Sequence, residues 1–86
     1  MPRIGEFYGI LIYMYYRDHL PPHIHALYAG REAKVEIVGG DVMDGELPRG
    51  ARRLVKRWVR AHRGELLDNW ERARTGRDLT PIVPME

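Results

Sequence analysis

Apolar positions alternate with polar ones through the first half of the chain and recur with a helical period through the second. Residues 4–7 form a short strand candidate interrupted by Gly5. Residues 10–16 (Ile-Leu-Ile-Tyr-Met-Tyr-Tyr) are the strongest strand signal, dense in β-branched and aromatic side chains and apolar on both faces, so both faces are expected to be covered. Ile24, Ala26 and Tyr28 then alternate with His23, His25 and Leu27, and Ala33, Val35 and Ile37 alternate with Lys34, Glu36 and Val38. This predicts a hairpin. A two-residue turn at Gly30-Arg31 sets Ile24 opposite Ile37 and His25 opposite Glu36; a turn at Ala29-Gly30 keeps the faces and changes the partners. Asp41 to Met43 can add a further short strand between two glycine turns.

From residue 49 the period lengthens. At about 100° per residue, Ala51, Leu54, Val55, Trp58, Val59 and Ala61 share one side of a helix, with Pro48 tolerated at its start. His62 projects into that apolar arc and is expected to face inward. The phase breaks near Arg63-Gly64, so a second helix with its own stripe (Leu66, Leu67, Trp70, Ala73) runs to Arg74 and stops at Thr75-Gly76. The tail holds Pro81 and Pro84 and reads as extended, with Leu79, Ile82 and Val83 docked on the core. The pattern predicts one α+β domain over residues 1–86. A small antiparallel sheet of about four strands is followed by two helices packed on one face, and Leu54, Trp58, Leu66 and Trp70 meet Ile10, Ile12, Ala26, Val35 and Ile37.

Size and composition narrow the classes. A chain of 86 residues builds one core, worth only roughly 3–5 kcal/mol, so a metal, a partner or a second copy would add appreciably to stability. There is no cysteine, which excludes disulfides and thiolate metal sites. The apolar run at residues 10–16 is too short to cross a membrane, and no secretory leader pattern is present; a cytoplasmic protein without membrane association is expected.

Charge is unevenly spread. Up to Pro48 there are four basic and seven acidic side chains; from Arg49 on there are ten and five. Arg49, Arg52, Arg53, Lys56, Arg57, Arg60 and Arg63 fall within roughly a 140° arc of the first helix, uninterrupted by an acid. Such a face suits an acidic partner protein or nucleic acid. It can equally be a solvated face balanced by the acids of the sheet half.

The chemistry is concentrated in Asp18-His19-Leu20-Pro21-Pro22-His23-Ile24-His25, which holds three of the four histidines. His23 and His25, two apart on a strand, share a face. With His19 or Asp18 folded back by the stiff diproline they form a candidate site for a divalent transition metal, and Glu36 across the hairpin is a candidate ligand or orienting carboxylate. The same histidines (His19, His23, His25, with Glu36) can instead serve as metal-free acid and base in RNA cleavage. A third reading is structural: ring nitrogens bonding the carbonyls freed around the prolines, with Asp18 capping the loop. A homodimer through a sheet face carrying Leu11, Tyr13 and Tyr15 is also expected from the doubly apolar strand.

These residues carry a resemblance. Met-Pro-x-Ile at the start, Gly9-Ile10-Leu11-Ile12-Tyr13-Met14-Tyr15, Asp18 to Ala26, Gly45-Glu46-Leu47-Pro48, the Trp58 helix and Glu65 to Trp70 followed by Pro81-Ile82 resemble a bacterial family catalogued as domain of unknown function 4160. The resemblance spans nearly the whole chain. It implies a small stand-alone protein, often encoded beside another small protein in toxin–antitoxin-like pairs, and it brings no catalytic residues with it.

Overall fold

The structure, a computed structural model, describes residues 2–82. Five strands, β1 (Arg3–Phe7), β2 (Ile10–Tyr13), β3 (His23–Tyr28), β4 (Arg31–Glu36) and β5 (Val42–Gly45), form one antiparallel meander in chain order. Two helices follow, α1 (Arg49–Ala61) and α2 (Arg63–Arg74). The architecture is α+β as the pattern predicts, with one strand more than the four expected, because Val42 to Gly45 pairs with β4, across a bulge between Lys34 and Val35.

The hairpin turns at Ala29-Gly30, both with positive φ (52° and 78°), the two-residue turn whose twist matches that of the strands. His25 therefore lies opposite Lys34, and His23 opposite Glu36; the His25–Glu36 pairing expected from a Gly30-Arg31 turn does not form. One consequence of this register is a row of small residues. Gly5, Ile12, Ala26, Ala33 and Gly45 stand side by side across all five strands, and four of the five have no side chain beyond Cβ. Trp58 of α1 uses the room. Its ring edge would lie 2.8 Å from a Cβ at Gly5, and it stacks on Phe7 at 4.9 Å between centroids. Glycine breaks a strand pattern here because an indole occupies the space of a side chain.

The core is the helix-facing side of the sheet (Ile10, Ile12, Ile24, Ala26, Val35) closed by Val55, Trp58, Val59, Leu66 and Trp70. Leu54 only borders it, and Leu67 is exposed, contrary to the expected stripe; buried Asn69 takes that place. Asn69 explains the docking of the tail. Its side chain donates to the Thr80 carbonyl and accepts from the Thr80 N–H (2.8 and 2.7 Å), after which the Ile82 N–H reaches the Ile4 carbonyl and Ile82 is buried. Val83, expected beside it, lies outside the described residues.

β2 stops at Tyr13, three residues short of the predicted strand. Met14 makes one more bond, to the Pro2 carbonyl, and Arg17 adopts a left-handed backbone with its N–H on the Ala73 carbonyl at the end of α2. The chain is thereby turned back over the sheet face that the helices leave open. Among the described residues no helix is long and apolar enough to cross a membrane.

Candidate functional site

Strand alternation sends Ile24 and Ala26 into the helix-facing core and His23 and His25 to the other face, which an open sheet would leave to solvent. Both histidines are nonetheless only 3% exposed. The returning segment covers them: Tyr15 lies 4.1 Å from the His25 ring, and Trp70 of α2 lies 5.3 Å from His23. The loop, whose Leu20–Pro21 peptide is cis, carries Asp18, and Asp18 lies against both rings.

The hydrogen bonds are unusual in their polarity. His23 Nδ1 donates to the Pro21 carbonyl (2.8 Å), and its Nε2 faces Asp18 Oδ2 (3.0 Å). His25 Nδ1 lies 3.0 Å from Glu32 Oε2, and its Nε2 lies 3.0 Å from the same Asp18 oxygen. Asp18 Oδ1 takes the His19 N–H at 2.8 Å. Four ring nitrogens thus meet three groups that only accept. A neutral imidazole has a single N–H: in His23 the Pro21 carbonyl takes it at Nδ1, and in His25 it serves either Glu32 or Asp18. The Nε2 lone pair of His23 is left pointing at a carboxylate oxygen, an arrangement that repels unless a positive charge sits at the convergence. Burial pushes the Asp18 carboxyl up, but the hydrogen bonds from His25 and the His19 amide, with His23 close by, outweigh it and hold the group below its usual value. Asp18 is accordingly the anionic corner of the site. Burial, followed by the charges of Glu32 and Asp18, raises the adjacent Tyr15 phenol.

The convergent charge is either a pair of protons or a metal ion. Two imidazolium rings 5.1 Å apart, both out of water, repel each other and lose their hydration. A divalent ion leaves both rings neutral. All three ligand atoms lie within 4.8 Å of one another. The outer contacts are those that metal-bound histidines make, with the distal N–H held by a backbone carbonyl in one ring and a carboxylate in the other.

The structure gathers three of the expected site residues, Asp18, His23 and His25, and separates two. His19 is exposed, and only its backbone N–H touches the cluster, because the diproline turns its side chain outward. Glu36 bonds neither histidine; Glu32 holds that place. Glu32 escaped the sequence reading because its position depends on the turn. With Ala29-Gly30 at the apex it stands opposite Leu27, on the histidine face and diagonal to His25.

The basic face is divided in the same way. Arg49, Arg52, Arg53, Arg57 and Arg60 are exposed on α1, and none has a hydrogen bond or ion pair among the described residues. Lys56 is engaged with Asp41 at 2.9 Å, which together with the charge of Arg60 holds that carboxyl below its ordinary value. Arg63 opens α2, half-buried with its Nε lacking a partner, and leaves the α1 face. His62, expected to face inward, is half-buried between the helices, 5.0 Å from Trp58 and bonded to Glu65.

No curated protein and no solved structure matches the chain. The family model described as Domain of unknown function (DUF4160) matches residues 9–71, from the first residue before β2 to the middle of α2, and so covers the whole histidine site and α1. The chain belongs to the DUF4160 family.

Proposed function

We propose that Asp18, His23 and His25 hold one divalent transition-metal ion and that the activity of the protein is exercised there. The observation that carries this reading is the convergence of two Nε2 atoms on one carboxylate oxygen, with each ring also held at Nδ1 by an outer acceptor. Three protein ligands leave positions for water or a substrate atom, the pattern of reactive rather than purely structural centres. Approach is past Asp18, whose side chain is 14% exposed while the rings are almost closed off. A metal-free acid–base pair is less well supported, since every ring nitrogen of His23 and His25 is already engaged and exposed His19 stands apart. Elemental analysis of protein purified without an affinity tag should find about one equivalent of a first-row divalent metal, lost in Asp18→Ala. Metal-free protein, together with no rise in thermal midpoint when zinc, manganese, iron(II), cobalt or nickel is added, ends this reading.

A second reading rests on a different observation, the arginines of α1 without acidic partners. On it the chain also acts as the interaction member of a small two-protein system, docking an acidic partner or nucleic acid on α1. Arg53→Glu with Arg57→Glu should abolish capture of the neighbouring gene's product and of RNA and DNA; capture of all three at wild-type strength would dismiss it.

A further inference from the structure

The arginine face borders a feature that helical projection does not show. Three adjoining concavities of about 360, 280 and 200 Å³ meet around half-buried Leu54. Arg53 and Arg57 form one wall. Tyr8 and Tyr28 form the other, with Trp58 and His62 closing one end. Tyr8 is 69% exposed at the β1–β2 turn, where its backbone is left-handed. No acidic side chain lines any of the three among the described residues. The buried Trp58 indole N–H, in a residue of the same wall, has no acceptor.

We infer that this groove binds single-stranded nucleic acid, with phosphates on Arg53 and Arg57 and bases against Tyr8 and Tyr28. The inference rests on the second reading above and names the class of partner. An acidic protein segment would be served by the arginines alone and would leave the exposed ring of Tyr8 unused. A single strand uses both walls, since every base has a face that stacks and every linkage a charge. Arg53 and Arg57 are one helical turn apart, about 6 Å along the axis, and Arg49 continues the row. A cationic rail of this kind follows an extended strand. The strand must be single for its bases to be free to stack on the tyrosines.

The test is fluorescence anisotropy of a labelled short oligouridylate with the intact protein, using polyglutamate and uridine monophosphate as competitors. The oligonucleotide should bind, lose affinity steeply as salt rises, and resist both competitors. Arg53→Glu with Arg57→Glu should weaken it at least tenfold, and Tyr8→Ala about fivefold or more, with thermal midpoints unchanged because these side chains are on the surface. If polyglutamate competes as well as unlabelled oligonucleotide, or Tyr8→Ala binds as wild type, the groove reads charge alone. The nucleic-acid inference then falls while the acidic-partner reading stands. If neither polyanion binds, both fall.

Discussion

The loop over β3 and the outer face of α1 treat charge in opposite ways. The rings of His23 and His25 are out of water, and each of their nitrogens meets the Pro21 carbonyl, Asp18 or Glu32 inside the molecule. Along α1 the cations stand in water and, apart from Lys56 and the influence of Arg60 on Asp41, are matched by nothing among the described residues. A buried centre has to be complete to be tolerated, because an unpaired buried charge costs several kcal/mol. An exposed face can stay incomplete at almost no cost to folding. The first therefore reports its ligand through stability, and the second only through binding.

That contrast can be broken most severely at Asp18. Asp18→Ala leaves the Nε2 atoms of two buried neutral rings without a partner and should cost about 1–3 kcal/mol. Urea denaturation measures it, and a loss below about 1 kcal/mol would mean that the carboxylate does not hold the site together.

Of similar size is the effect of the ion itself. Metal at a hundred times its dissociation constant should stabilise the chelator-stripped protein by about 2.7 kcal/mol, a rise in thermal midpoint of roughly 10–20 °C for a domain this small. His25→Ala should show no rise. A smaller and more discriminating comparison separates the two carboxylates of β4. Glu32→Gln should weaken metal binding about 10–100-fold through the His25 ring it orients, whereas Glu36→Gln, like His19→Ala, should leave affinity within twofold. Equal effects of Glu32→Gln and Glu36→Gln would indicate a general electrostatic influence in place of a specific contact.

The smallest effect belongs to α1. Arg52→Ala, Arg53→Ala and Arg57→Ala should each change unfolding free energy by less than about 0.5 kcal/mol. A larger loss would show that the arginines serve the fold and are not kept free for a partner.

Much of this was legible in the sequence, for identifiable reasons. The faces of the hairpin, the break between the helices and the inward Trp58 and Trp70 follow from periodicity, which burial enforces. The shared face of His23 and His25 follows from the same alternation. What periodicity does not contain is the return of the chain. Whether residues 14–16 prolong β2 or leave it depends on Arg17 reaching the Ala73 carbonyl, a contact with a helix more than fifty residues away. With that bend Asp18 is brought onto the rings and His19 turned out, a distinction that composition cannot draw. Glu32 against Glu36 turned on the position of the hairpin turn, which sits at Ala29-Gly30. Asn69 looked like one more polar position on α2 until its two bonds to Thr80 placed it inside.

The central claim is that three side chains of the β3 face make one metal centre, and cobalt(II) tests it directly. Chelator-stripped protein titrated with cobalt(II) and followed by visible absorption should develop ligand-field bands that saturate at one equivalent, and should develop none in Asp18→Ala or His23→Ala. A spectrum no different from free aqueous cobalt(II), or bands that persist unchanged in both variants, would contradict it.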